Sequence, residues 1–238
     1  MRIALIGYGK MGKAIETIAL QKGHEIVLKI DLDNAHELTK EYLGKADVAI
    51  EFTGPSNAVD NIKKCMDAGT PVVSGSTGWL ERWNEVEQYC NTSKGSLLYA
   101  SNYSIGVNLF FELNKYLAKL MEPYGEYDVQ MEEVHHTQKK DAPSGTAITL
   151  AEQVLKQIRR KKLWVNQEAG TPDELQIISE RTDPAPGTHK IKYTSDIDDL
   201  EIIHTAHNRV GFAGGAVLGA EFLAGKKGIY SMKDVLGL

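Results

Sequence analysis

Over its first hundred residues the chain alternates short apolar runs with longer stretches whose apolar residues recur every three or four positions. The runs at residues 3–6, 26–30, 48–52, 71–73 and 97–100 predict strands, and the periodic stretches at about 11–21, 58–68 and 80–91 predict helices. Strands that are apolar throughout are buried on both faces, and a helix between two strands joins them in parallel. This half therefore predicts an α/β unit, a doubly wound parallel sheet with helices on both sides.

After Ser101 the pattern changes. A helix is expected at about 106–121, followed at 127–134 by alternation of Tyr127, Val129 and Met131 with Asp128, Gln130 and Glu132, as in a half-buried antiparallel strand. The alternation slips at Glu133 and Val134. A second helix is expected at about 144–160, with Ala147, Leu150, Ala151, Val154, Leu155 and Ile158 on one face. Strands follow at 175–181, 189–195 and 199–205, punctuated by Gly170, Pro172, Pro184, Pro186 and Gly187. Residues 208–224 return to a Gly- and Ala-rich helix expected to pack on the first unit. The organisation predicted is a first domain of residues 1–104 with 209–238, and a second, α+β domain of residues 105–208.

The composition narrows the partners. With a net charge of -5 over 238 residues the chain has no general attraction for nucleic acid or anionic lipid, so an anionic ligand must be held locally and a small metabolite is expected. No window reaches the roughly 20 apolar residues that cross a bilayer, and the start of the chain lacks a signal-like core, which together predict a cytoplasmic protein without membrane partners. Cys65 and Cys90, each within an expected helix, read as free thiols.

The sequence GYGKMG at residues 7–12 stands between a predicted strand and a predicted helix, the context that makes a GxGxxG pattern informative. Gly7 permits the tight turn, Gly9 lets a pyrophosphate approach the backbone, Gly12 lets helix pack on strand, and the helix start offers its N–H groups to phosphate. Asp31, about twenty residues on, is placed to accept ribose hydroxyls, or else it or Asp33 caps the next helix. No arginine follows it, while Lys29 and Lys10 are nearby, so NADH and NADPH both stay open. GSTG at 75–78 and SNYS at 101–104 each follow a strand at the sheet's ligand edge; plain turns, with Thr77 as a cap, explain them equally well.

The densest chemistry lies in EVHHTQKKDAPSGTA, residues 133–147. Asp141, Pro143 and Ser144 are helix-start residues, so the N–H groups of Ser144, Gly145 and Thr146 are expected to point outward as a carboxylate or phosphate cradle, with Lys139 beside it. His135 and His136 have the ordinary pKa suited to proton transfer near neutrality. A zinc site using His189, His204 and His207 is an alternative without a supporting spacing, so no metal is expected. Arg159 to Lys162 reads as a solvated helix end, and His204 and His207 as structural.

These motifs resemble the 4-hydroxy-tetrahydrodipicolinate reductase (dihydrodipicolinate reductase) family over essentially the whole chain. HHTQKKDAPSGTA corresponds to that family's HHxxKxDxPSGTA, and GYGKMG, EFTGPS, GSTG, SNYSIGVN and HNRVGFAGGA add support. The resemblance implies a Rossmann-type doubly wound sheet with a second α+β domain for substrate binding and oligomerisation. It implies His135 as proton donor and Lys139 as catalytic lysine, with His136, Ser144, Gly145 and Thr146 binding a cyclic dicarboxylate. It implies cofactor contacts from Gly7, Tyr8, Gly9, Lys10, Met11, Gly12, Asp31, Gly75, Ser76, Thr77, Ala100, Ser101, Asn102 and Tyr103, with Arg209 and Phe212 in a segment near the cofactor. NADH or NADPH would be the hydride source, a hinge would close the site, and the assembly would be a homotetramer. The glycine loop is one residue shorter than the family's common form, and Leu32 replaces the arginine often found after the acidic residue. Another two-domain Rossmann oxidoreductase, which would need a reactive cysteine or other substrate groups, is the rival enzyme; a silent NAD-binding sensor would have no use for His135, His136 and Lys139.

Overall fold

The computed structural model describes residues 1–208 and 210–238; Arg209 lies outside the described residues. In chain order the elements are β1 (Arg2–Ile6), α1 (Lys10–Gln21), β2 (Glu25–Ile30), α2 (Lys40–Leu43), β3 (Val48–Glu51), α3 (Pro55–Asp67), β4 (Val72–Ser74), α4 (Trp83–Ser93) and β5 (Ser96–Tyr99). They continue with α5 (Ile105–Met121), β6 (Asp128–His135), α6 (Gly145–Gln157), β7 (Leu163–Val165), β8 (Glu174–Arg181), β9 (Gly187–Thr194), β10 (Asp199–Ala206), α7 (Val210–Leu223), β11 (Gly228–Tyr230) and α8 (Met232–Leu236). Two compact units result, Met1–Ile105 with Val210–Leu238, and Gly106–Arg209.

Unit 1 is a six-stranded parallel sheet in the order β11-β5-β4-β3-β1-β2. Alternate residues of its central strands enter two different cores: Ala4, Ile6, Ala49, Val72 and Leu97 pack in one, and Ile3, Leu5, Ile50, Val73 and Leu98 in the other. Both faces are thus apolar, the reason these strands read as unbroken runs. The sequence pattern missed α2, β11 and α8 here, and β7 in the other unit. Helix α7 is rich in small residues because it packs backbone against backbone: a Cβ on Gly215 would stand 1.7 Å from the Tyr103 carbonyl oxygen. The chain steps from β1 out to β2 and then back past β1 to β3, so the carboxyl ends of these strands open a crevice for a ligand.

Unit 2 is a mixed sheet in the order β10-β9-β6-β8-β7, in which β6 runs antiparallel to β9 and parallel to β8. The expectation of a purely antiparallel β6 is corrected by that second neighbour, reached through α6. Val129, Met131, Leu175, Ile177, Ile191 and Tyr193 form one buried face against Ala147, Leu150, Ala151 and Val154 of α6 and Phe110, Ala118 and Met121 of α5. Each fully buried Leu or Ile stabilises such a core by about 1.5–3 kcal/mol. The strand does not slip at Glu133. Burial alternates without a break through Val129, Met131, Glu133 and His135, so a carboxylate and an imidazole occupy the last inward positions.

A second correction concerns residues 159–162. Helix α6 ends at Gln157, before the basic run, in which Arg159 and Lys162 are solvated as expected but Arg160 and Lys161 are tethers. Arg160 donates to the carbonyls of Glu122 (3.2 Å) and Tyr127 (2.8 Å), and Lys161, 2% exposed, donates to Glu174 O and pairs with Asp128, both at 2.7 Å. These carbonyls lie where α5 ends and β6 and β8 begin, and a buried tail must supply them with donors.

Candidate active site

In unit 1 a cavity of about 660 Å³ opens at the carboxyl ends of β1, β2 and β3, lined in part by Gly7, Gly9, Asp31, Leu32, Thr53 and Gly54. Gly7 has φ +94°, and a Cβ there would lie 2.2 Å from the Phe52 carbonyl oxygen; a Cβ on Gly12 would lie 2.3 Å from Gly7 O. Both therefore need glycine. Gly9 and Gly54, in contrast, have open space where a Cβ would be, and they begin α1 and α3 without a side-chain cap or an acidic first turn. Two helix starts with positive ends facing one cavity suit a pyrophosphate. Asp31 is exposed at the cavity and caps no α-helix; its N–H donates to Asn34 Oδ1 at 2.7 Å, and Asn34 begins the short 3-10 turn that follows. Lys29 is held by Glu16 at 2.6 Å and lies 5.0 Å from the Tyr8 ring. The Tyr8 hydroxyl donates to the same Glu16.

A buried carboxylate that the sequence reading overlooked ties the loop after β3 to the GSTG loop after β4. Glu51, fully buried at the end of β3, accepts from Thr53 N–H (2.9 Å), Ser74 Oγ (2.6 Å) and Ser76 Oγ (2.8 Å). Ser76 is therefore a pin between two loops, while Thr77 is exposed and Gly75 abuts the Phe52 ring. Tyr103 is 2% exposed and its hydroxyl donates to Ser74 O at 2.8 Å, so its side chain belongs to the core and only its backbone can face a ligand. Ala100 and Asn102 are half-buried and Ser101 exposed; Lys10 is exposed and Met11 half-buried at the start of α1. Phe212 lies in α7.

In unit 2 the strand register assembles two polar rows at the end of the apolar face. Ser179, Glu133, His189 and His204 are direct cross-strand neighbours on β8, β6, β9 and β10, and in the next row His135 is paired with Arg181. Gly187 leaves room for the ring, since a Cβ there would lie 3.0 Å from His135 Nε2. Glu133 is fully buried and accepts from Ser144 N–H (3.1 Å to each oxygen), Ser179 Oγ (2.8 Å) and Arg181 (3.0 Å). Burial alone would raise its pKa, but these donors together hold it below the usual carboxylate range. Its Oε2 stands 3.5 Å from His135 Nδ1 and 3.7 Å from His189 Nε2. Burial lowers His135 from its ordinary value, with Glu133 and Asp141 working against that and Lys139 and Arg181 with it. His189, more deeply enclosed and beside His135, is pushed down to about 4.

The helix start differs from expectation at one residue. Ser144 is the N-cap of α6 and 3% exposed; its N–H goes to Glu133 and its Oγ accepts from Ala147 N–H (3.2 Å) and meets His189 Nε2 (3.1 Å). Its amide does not point outward, because a buried carboxylate needs it. Gly145, the first residue of α6, is exposed with nothing within 4 Å of a Cβ, and Thr146 follows it. Lys139 is half-buried and forms a two-pronged contact with Asp141 at 2.8 and 2.9 Å, whose carboxyl it holds below the usual range. His136 is half-buried in the turn that accepts Lys139 N–H.

Glu133, His135 and His189 each bring one ligand-type atom within 4.8 Å of the others. A cation fits this set poorly: the carboxylate already accepts from three residues, and Arg181 at 3.0 Å already balances its charge. Of the zinc alternative's histidines only His189 reaches the cluster; His204 packs on Phe110 at 5.9 Å, and His207 is exposed.

A glycine-loop sheet in one unit and a buried histidine beside an open helix start in the other are features that a nucleotide-dependent oxidoreductase needs. Residues 1–103 match the family description "Dihydrodipicolinate reductase, N-terminus" and residues 106–236 "Dihydrodipicolinate reductase, C-terminus". The chain is 48% identical over 99% of its length to a 4-hydroxy-tetrahydrodipicolinate reductase of Christiangramia forsetii, covering 98% of that protein. It is 33% identical over 98% of its length to one of Methanococcus aeolicus, covering 82% of that protein. Its fold is shared with a dipicolinate-bound dihydrodipicolinate reductase from Paenisporosarcina sp. TG-14, at 22% identity, TM-score 0.76 and 97% coverage of both chains. The chain belongs to the dihydrodipicolinate reductase family.

Proposed function

We propose that this chain reduces 4-hydroxy-tetrahydrodipicolinate to tetrahydrodipicolinate with NADH or NADPH, in the biosynthesis of diaminopimelate and lysine: the 4-hydroxyl leaves as water, and the unsaturated ring that results takes up one hydride and one proton. The observation that carries this is the β6–α6 junction, where His135, Lys139 and an open approach to Gly145 meet in a chain 48% identical to a curated reductase. The dipicolinate bound by the structural neighbour is a cyclic dicarboxylate of the same kind.

Unit 1 holds the nucleotide: the Gly9 and Gly54 helix starts take the pyrophosphate, and Asp31 takes the ribose. When bound, the reduced nicotinamide supplies a hydride to the unsaturated ring. Asp31 and the exposed Leu32 favour a free 2′-hydroxyl, and Lys29 is already engaged by Glu16, so NADH is the favoured coenzyme. In unit 2 the Gly145 and Thr146 end of α6 receives a substrate carboxylate, with His136 beside it. Lys139 exchanges Asp141 for the substrate and stabilises the negative charge that develops on the ring. His135 gives the proton. Burial lowers its pKa before substrate binds, and the substrate's carboxylates would act the other way, in favour of the imidazolium. Leu200 and Ile203 on β10, 39% and 55% exposed, are surface that a homotetramer formed through unit 2 would cover.

A thiol-dependent dehydrogenase is disfavoured: Cys65 and Cys90 are buried, and burial raises both thiols. Oxidation of NADH or NADPH, followed by absorbance with freshly made synthase product, tests the reading, and no oxidation with either coenzyme overturns it. His135→Gln should lower kcat by about 10²–10⁴-fold with little change in KM; Lys139→Ala should impair both.

A further inference from the structure

We propose that Glu133 is a positioning residue of this site: one buried carboxylate ties the start of α6 to β8 and sets a fixed negative charge against His135. Glu133 sits at an inward position of β6 that an apolar residue would fill at less cost, since replacing a buried ion pair by well-packed apolar groups is often neutral or stabilising. Its two oxygens are used differently. Oε1 accepts from Ser179 and Arg181 and shares the Ser144 N–H, whereas Oε2 shares that N–H and is the oxygen that faces the two imidazoles. His189 Nε2 already meets Ser144 Oγ, while His135 Nδ1 is buried and has no other partner among the described residues. His189 is held neutral by burial, so the charge of Glu133 acts on His135. The charged and titratable groups facing His135 are Glu133 on β6, Lys139 and Asp141 in the loop before α6, Arg181 on β8 and His189 on β9. Glu133 favours the imidazolium and Arg181 opposes it, and both also bear on the helix start, because Arg181 donates to Asp141 O at 2.6 Å.

The proposal rests on His135 as donor, so its test must not depend on turnover alone. In the full chain labelled at histidine, the His135 titration is followed by NMR in the wild type, Glu133→Gln and Arg181→Gln. Removing the carboxylate charge should lower the His135 midpoint by about one pH unit, and removing the guanidinium should raise it by a similar amount. The alkaline limb of the kcat profile should follow in each case, because a donor must be protonated: on that limb, a midpoint lowered by about one pH unit makes Glu133→Gln roughly tenfold slower than wild type. A merely structural carboxylate would move neither midpoint in this charge-ordered way. If both variants leave the midpoint in place, or move it in the same direction, the proposal is overturned. Should Glu133→Gln fail to fold, Arg181→Gln decides alone, an upward shift supporting the proposal and no shift overturning it. A fully active His135→Gln would instead remove the donor reading while leaving the NMR shifts standing.

Discussion

Replacing Ser144 by Ala removes one oxygen that does two jobs. It deletes the N-cap acceptor for Ala147 N–H, about 1 kcal/mol, and leaves the buried His189 Nε2 without its 3.1 Å partner, about 1–3 kcal/mol more. The Ser144 N–H stays on Glu133, so the helix remains docked. The expected loss is about 2–4 kcal/mol, or on the order of 10 °C in the melting temperature of unit 2. Because the hydroxyl is buried, KM for the dicarboxylate should change by less than about threefold, a difference under 1 kcal/mol. Gly145→Ala is the counterpart. It has open space for its methyl and a helical position, so stability should hold or rise by up to about 1 kcal/mol. On the proposed function the methyl nevertheless stands where the substrate carboxylate approaches the helix start, and KM should rise roughly tenfold, a change of about 1.4 kcal/mol. Differential scanning calorimetry and steady-state kinetics on the pair separate the cases. A Ser144→Ala protein that melts within a degree or two of wild type yet binds substrate much more weakly would refute the reasoning and return Ser144 to direct substrate contact.

Leu32→Arg places a guanidinium beside Asp31 at an 88% exposed position, and should move the NADPH to NADH ratio of kcat/KM upward by about tenfold. Gly12→Ala forces a methyl against Gly7 O and should cost about 1–3 kcal/mol in thermal unfolding while weakening nucleotide binding, read by quenching of intrinsic fluorescence. Acid should weaken unit 2 through His189. A histidine whose folded pKa lies below its unfolded value stabilises above about pH 6.5, and this is lost as pH falls toward 4, with a magnitude on the order of 3 kcal/mol. The depressed Glu133 carboxyl acts in the same direction at lower pH. His189→Asn should flatten the decline of the urea midpoint between pH 6.5 and 4, and an unchanged decline would show that another group carries it.

Most elements of both sheets were readable because burial leaves a periodic record. Five of the six strands of unit 1 are apolar runs, and Val129, Met131, Ile177 and Ile191 mark the inward face of unit 2. Strand β11 was missed because three residues, Gly228–Tyr230, are too short to show a period. The slip assigned to Glu133 had a different cause: a charged residue at an inward position imitates a break in alternation until its partners are known. A hint existed in the sequence, since Glu133 keeps the two-residue phase of Val129 and Met131 and His135 continues it. Glu51 was missed for a related reason, a carboxylate at the end of an apolar run with its partners Ser74 and Ser76 more than twenty residues away.

By itself, then, the sequence determined which residue types the protein has for chemistry and which local shapes they adopt, since glycine turns, helix caps and apolar periods act over a few neighbouring residues. It placed Gly7, Gly9 and Gly12 at a strand-to-helix turn and His135, Lys139 and Gly145 around a helix start. Which groups meet across strands was decided only by tertiary structure. The register that sets Ser179, Glu133, His189 and His204 in one row depends on pairings 15 to 56 residues apart in the chain. Burial in that row turns Glu133 from one of many surface-type acids into a fixed charge and draws the Ser144 amide inward, and burial in the next row lowers the pKa of His135. These effects arise from desolvation and from distances of 3–4 Å, and no short stretch of sequence contains either.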